Sequence, residues 1–137
     1  LTTGRFCRFD LNGKQKTLNI GKNCEFGDYT HIVALDHVDI GDDVLIASKV
    51  FISDTNHGCY SEPNISDLSI PPRNRELIHK SVRIGNNVWI GENAVILAGS
   101  DIGNGCVIGA NSVVSRDIPD NSIVVGANRI LRTISKK

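Results

Sequence analysis

Between positions 54 and 59 the chain reads Asp-Thr-Asn-His-Gly-Cys, which sets a carboxylate, an amide, an imidazole and a thiol within a few residues. A neutral imidazole accepts a proton near pH 7, so His57 is suited to general-base work. Asp54 and Asn56 can orient that ring or line a pocket beside it, and Asp54 reads equally well as a turn residue. Cys59 offers a covalent nucleophile, but nothing beside it clearly lowers its pKa. His31, His37, His57 and His79 are enough in number for three zinc ligands.

Such groups need a rigid frame, and the sequence shows one. An aliphatic residue returns every six positions at Ile84, Ile90, Ile96, Ile102, Ile108 and Val114, and Gly85, Gly91, Gly103 and Gly109 follow four of them. A helix repeats near 3.6 residues and a strand near two. A period of six fits a chain that turns a corner every six residues and stacks coil on coil. The same spacing runs through Ile20, Phe26 and Ile32, slips by two, and resumes at Ile40, Ile46 and Ile52. Four residues after the aliphatic position come Cys24, Val44, Val50, Val88, Ala94, Ser100, Cys106 and Ser112, small or β-branched residues expected to face inward near the corners. Gly is expected after the aliphatic residue for a tight turn, and Asn86, Asn87, Asn93, Asn104 and Asn111 for left-handed geometry.

The repeat fails from Ile52 to Ile84, where Pro, Asn and charged residues replace it. A long insertion in a regular array is commonly a functional loop. One domain is expected over residues 1–137: an N-terminal cap over 1–19, first coils over 20–56, an active-site loop over 57–80, later coils over 81–116 and a C-terminal cap over 117–137. Within the first cap, 5–9 alternates like a strand and Asn12-Gly13 reads as a hairpin turn. Arg129 to Lys137 is basic and reads as a short helix or tail.

Fifteen basic and fifteen acidic residues balance to zero, which gives no bulk attraction to nucleic acid or anionic lipid. No segment has membrane-spanning length and no secretory leader is seen. Four cysteines without CxxC pairing point to a reduced, cytoplasmic protein.

The hexads resemble those of the hexapeptide-repeat acyltransferases. The stretches 85–91 (Gly-Asn-Asn-Val-Trp-Ile-Gly), 108–114 and 117–119 look like the galactoside and maltose O-acetyltransferase branch. Residues 42–58 are closer still to O-acetyltransferases of lipopolysaccharide and capsule biosynthesis. The resemblance implies an all-β fold, a left-handed parallel β-helix with an inserted loop and a short C-terminal tail, although crossovers between parallel strands are ordinarily right-handed. It implies an acetyl-CoA-dependent O-acetyltransferase acting on a sugar or surface-polysaccharide precursor, a homotrimer, with no metal. His57 matches the family's catalytic base, acting by direct transfer. The family places an acceptor-contacting carboxylate near Asp36, across the two-residue slip, and Asp54 and Asn56 beside His57 are the further acceptor-binding candidates. Trp89, Ala98, Gly99, Ala110, Ser115 and Arg116 fall along the CoA groove between subunits, and Arg129 and Arg132 are placed to pair with phosphate. The segment 126–129 is shorter than the family's pattern and lacks its Pro, so the adenine contacts are open.

Three other functions remain. N-acetylation of an amino sugar needs the same base. A γ-carbonic-anhydrase-like metal enzyme shares the fold, but the histidine separations of 6, 20 and 22 positions do not resemble that family's His-x4-His pair. A non-catalytic scaffold leaves the loop and His57 without a use.

Overall fold

The computed structural model describes residues 1–135; Lys136 and Lys137, the end of the basic segment, lie outside the described residues. The chain winds as a parallel β-helix with three short strands to a coil. The first coil carries β1 (Thr2–Thr3), β2 (Arg8–Leu11) and β3 (Leu18–Ile20), and the second β4 (Glu25–Phe26), β5 (His31–Ala34) and β6 (Val38–Ile40). The third carries β7 (Leu45–Ile46) and β8 (Phe51–Ser53). It then projects a hairpin of β9 (Thr55–His57) and β10 (Leu77–His79), with one 3-10 turn at Pro72–Asn74 between them, before β11 (Val82–Ile84). The fourth has β12 (Trp89–Ile90), β13 (Val95–Ile96) and β14 (Asp101–Ile102), and the fifth β15 (Val107–Ile108) and β16 (Val113–Val114). The described chain ends with β17 (Ser122–Val125) and β18 (Arg129–Thr133).

Stacked coils make three faces. The first runs β1-β4-β7-β12-β15-β17-β18, the second β2-β5-β8-β13-β16, and the third β3-β6-β11-β14. The insertion leaves the stack in register, since Val82 and Ile84 lie over Val38 and Ile40. The two-residue slip is absorbed at the corner between the second and third faces, where 35–37 join β5 to β6.

The expected inward positions hold. Ile32, Ile46, Ile52, Ile84, Ile90, Ile96, Ile102 and Ile108 are fully buried, as are Val44, Val50, Val88, Ala94 and Cys106 between them. Each fully buried aliphatic side chain stabilises the stack by roughly 1.5–3 kcal/mol. Ser100 Oγ donates to Leu97 O (2.6 Å) and Thr30 Oγ1 to Gly27 O (2.9 Å), whereas the buried Ser112 Oγ has no hydrogen-bond partner among the described residues.

Asn plays two roles. Asn87, Asn93 and Asn111 have φ between 54° and 61°, as expected. Asn86 and Asn104 instead build a ladder up the corner between the third and first faces. Each side-chain oxygen accepts the backbone N–H of the coil before it: Lys22 N to Asp42, Asp42 N to Asn86, Asn86 N to Asn104, and Asn104 N to Asp120, at 2.7–2.8 Å. The glycine beside each rung serves close approach, not a positive φ. A Cβ on Gly85 would lie 2.8 Å from Asn104 N and 2.9 Å from Gly103 C, both backbone atoms of the next coil. Gly85→Ala is therefore expected to destabilise the protein by about 1–3 kcal/mol, read as a lower urea midpoint. Gly13→Ala, whose Cβ would meet nothing within 4 Å, should leave the midpoint unchanged.

Both ends differ from expectation. Residues 1–19 do not form a hairpin cap: β1 and β2 pair parallel to β4 and β5, and Phe9 lies over Ile32. Asn12-Gly13 is a corner, with Asn12 Nδ2 donating to Leu35 O (3.2 Å). The inward positions of this first coil, Thr3 and Phe9, stack on Phe26 and Ile32 without strict hexads. At the other end Arg129–Thr133 is neither helix nor free tail. It folds back as an antiparallel strand on β17, pairing an edge that the last coil would otherwise expose.

Candidate active site

The inserted loop leaves the stack at the corner between the second and third faces, and Asp54 shapes that exit. The residue is completely buried. Its Oδ1 accepts from Leu35 N (3.1 Å) and Thr55 Oγ1 (2.7 Å), and its Oδ2 from Asp36 N (2.8 Å) and His37 N (2.8 Å). The slipped corner 35–37 turns three N–H groups inward, and buried donors need partners. Asp54 supplies all three and so fixes where β9 begins. The residue expected to touch the acceptor thus sits beneath the surface with both oxygens engaged.

His57 ends β9, paired in register with Leu77. Its carbonyl accepts from the Tyr60 hydroxyl, and Gly58 N donates to Glu76 O (2.9 Å). Arg75 braces the loop behind it, donating to Tyr60 Oη (2.8 Å), Ile70 O (2.9 Å) and Leu68 O (3.1 Å). The backbone of His57 is thus held from two sides. Its imidazole is exposed and, among the described residues, has no hydrogen-bond partner. It stands free to receive a proton from a bound molecule.

The remaining candidates separate by face. Alternate residues of a strand point to opposite sides, so Asn56 lies on the other side of the hairpin from His57. Asp36 is exposed at the same corner, its N–H held by Asp54. Above it, Gly99 N donates to Lys80 O (3.2 Å), with Ala98 beside it. Next come Ser115 and Arg116. Asn128 Nδ2 donates to Ser115 Oγ (2.7 Å), and Arg116 donates to the Asn128 carbonyl (2.7 Å). These residues form a column along one corner, and the hairpin that carries His57 leaves the stack between Asp36 and Gly99. Trp89 lies elsewhere, half exposed on the first face between Leu45 and Val107. Ala110 is exposed at the corner between the first and second faces, and Arg129 and Arg132 are exposed on β18. One chain does not bring these last four residues to His57. A groove of about 440 Å³ over 2–4, 25–27 and 45–48 also lies away from it.

Cys59 Sγ donates weakly to Ser61 O (3.6 Å), and its N–H is fixed by Ser66 Oγ (2.8 Å). Three histidines have polar partners of their own. His31 Nε2 meets Asp10 (2.8 Å), and that contact, with Arg8 on the other oxygen, holds the Asp10 carboxyl below its ordinary range. His37 Nε2 meets Asp39 (2.6 Å), and His79 Nδ1 meets Thr55 Oγ1 (2.9 Å). These partners lie on separate faces, and the four rings do not converge. The sequence marked His79 only as one of four histidines. Its place opposite Thr55, on the same side of the hairpin as His57, depends on a pairing across the loop that no local pattern reveals.

Comparison with known proteins follows the same lines. Residues 81–116 match the bacterial transferase hexapeptide (six repeats) model. The chain is 46% identical over 127 residues to the "Putative lipopolysaccharide biosynthesis O-acetyl transferase WbbJ" of Escherichia coli, covering 91% of this chain and 64% of that protein. It is 38% identical over 122 residues to the galactoside O-acetyltransferase of Escherichia coli, covering 88% of this chain and 56% of that one. The chain thus spans less than two thirds of either relative. A hexapeptide-repeat acetyltransferase of Vibrio cholerae, VCA0836, solved with acetyl coenzyme A, superposes with a TM-score of 0.77 at 31% identity, covering 97% of this chain and 70% of that one.

Proposed function

Because the chain belongs to the hexapeptide-repeat acyltransferases, we propose that it transfers acetyl from acetyl-CoA to a hydroxyl of a sugar or surface-polysaccharide precursor, with His57 as general base. The observation that carries this reading is His57 itself: an unengaged imidazole on a braced hairpin where the coil stack opens. His57 takes the proton of the acceptor hydroxyl as its oxygen attacks the thioester carbonyl. A C–O bond forms and the carbonyl pair moves onto oxygen, where backbone N–H groups can stabilise it. Collapse breaks the C–S bond, and the imidazolium returns its proton to the CoA thiolate. The acyl group passes directly, with no covalent enzyme intermediate.

A second copy completes the site in this reading. Trp89, Ala110, Arg129 and Arg132 lie on other faces than the His57 corner, so they can reach acetyl-CoA only at the corner of a neighbour. The first face suits such packing, since Leu45, Trp89, Val107 and Ile123 form an outward apolar row. A homotrimer places each such face beside the next chain's corner. Four unpaired cysteines support a reducing compartment, the cytoplasm.

The test is thiol release from acetyl-CoA with a panel of nucleotide sugars and polysaccharide oligomers. An alkali-labile acetyl on the product is the expected result. An alkali-stable acetyl on an amino sugar marks N-acetylation. Absence of both thiol release and CoA binding across the panel removes the reading.

A further inference from the structure

The hairpin carries a second imidazole whose proton position is set by its neighbours. We propose that His79, held in the Nδ1–H form by Thr55 and Asp54, contacts the acceptor through Nε2; this rests on the acetyl-transfer reading above. Antiparallel pairing sets Thr55 opposite His79 and His57 opposite Leu77. These four residues share one side of the two-stranded ribbon, and the two histidines are diagonal neighbours, roughly 7–8 Å apart. That spacing of residue positions lets two adjacent groups of one acceptor meet the two rings: the reacting hydroxyl or amine at His57 and a neighbouring hydroxyl at His79.

The tautomer follows from counting protons. Asp54 Oδ1 faces the Leu35 N–H and the Thr55 hydroxyl, and Oδ2 faces two more N–H groups. With donors on both oxygens, the carboxylate only accepts. The Thr55 hydroxyl has a single hydrogen and gives it to Asp54, so toward His79 it can only accept. The 2.9 Å contact to His79 Nδ1 therefore requires the hydrogen on that nitrogen. In the neutral ring this leaves Nε2 as a lone pair with a fixed direction. His57, by contrast, has no such partner among the described residues, so its ring is free to turn and exchange a proton. The pair divides the work: His79 accepts a hydrogen bond from a second hydroxyl of the acceptor and orients it, and His57 removes the proton of the reacting group.

Two substitutions separate the parts. His79→Asn keeps a donor near Nδ1 for Thr55 but lacks Nε2. Thr55→Val keeps the imidazole but removes the group that sets its tautomer, and leaves Asp54 its three backbone donors. Long-range ¹H–¹⁵N spectra of histidine-labelled protein should show the hydrogen of neutral His79 on Nδ1 in the wild type and on Nε2 in Thr55→Val. With the acceptor found in the thiol-release panel, His79→Asn should raise the acceptor KM about tenfold and Thr55→Val about threefold, with the acetyl-CoA KM unchanged. A wild-type His79 carrying its hydrogen on Nε2 overturns the proposal, as does a His79→Asn acceptor KM within twofold of wild type. Absence of both turnover and CoA binding with every acceptor, despite the Nδ1–H form in the spectra, removes the acceptor contact along with the transfer reading and leaves only the Asp54–Thr55–His79 hydrogen bonds.

Discussion

His57→Ala is expected to lower acetyl transfer at least about a hundredfold, with fold and acetyl-CoA affinity retained. The separation of effects follows from how the residue is held. Its side chain is exposed and has no hydrogen-bond partner among the described residues, so truncation opens no cavity and orphans no buried group. The backbone stays in place, because the Tyr60 hydroxyl and the pairing of β9 with β10 act on main-chain atoms. Stability should therefore move by less than about 0.5 kcal/mol. Catalysis should not be spared, since a sugar hydroxyl is a poor nucleophile while its proton remains. General-base help contributes roughly 10²–10⁴ in rate. The rate that survives would come from positioning and from backbone stabilisation of the oxyanion, neither of which uses the imidazole. The loss belongs in kcat, with acetyl-CoA binding followed separately by calorimetry. A variant turning over within about tenfold of wild type would remove His57 from the proton transfer.

The fold was legible because its constraint is local and periodic. Every coil needs an aliphatic residue at the same three inward positions, so Ile84, Ile90 and Ile96 announce three strands without knowledge of the coils above and below. The loop was legible as the place where that demand lapses, and His57 as the imidazole at its edge. What stayed hidden depends on partners far along the chain. Asn86 looks like a turn residue until Asp42 N is found at its oxygen, 44 positions earlier. Asn87 keeps its left-handed φ for a local reason, and so was read correctly. His79 gains meaning only from its register with Thr55, which the irregular chain between them does not encode in any period. Residues 1–19 lack the period because Thr3 and Phe9 stand at the inward positions, so their parallel pairing with β4 and β5 shows in no local pattern. The split of Trp89 and Ala110 from the His57 corner has a related origin: the period marks inward positions and does not display which face or corner the outward residues share.

Asp54 shows how a residue chosen for one reason serves another, and it carries the largest expected effect on stability. Asp54→Ala should destabilise the protein by at least about 3 kcal/mol. The mechanism is loss of an acceptor, not of packing volume. Leu35, Asp36 and His37 direct their N–H groups at the carboxylate at 3.1, 2.8 and 2.8 Å, and each buried donor left without a partner costs about 1–3 kcal/mol. Water entering the new space would recover part of that cost, which is why the expected value lies below the sum. Asp54→Asn is the sharper variant. It preserves shape but has one acceptor oxygen and an NH₂ group that must face N–H donors. With the NH₂ in the place of Oδ1, the Thr55 hydroxyl turns to accept from it and only the Leu35 N–H meets another donor, so Asn should cost about 1–3 kcal/mol, less than Ala. Urea unfolding followed by circular dichroism, at one fixed protein concentration because assembly contributes to apparent stability, reads both variants without acetyl-CoA or acceptor. Both variants within about 0.5 kcal/mol of wild type would show that the corner does not depend on the carboxylate, and Asp54 would return to being a candidate acceptor contact. A loss of the expected size, seen with no ligand present, makes Asp54 the residue that sets the exit angle of the hairpin and so the placement of His57 and His79.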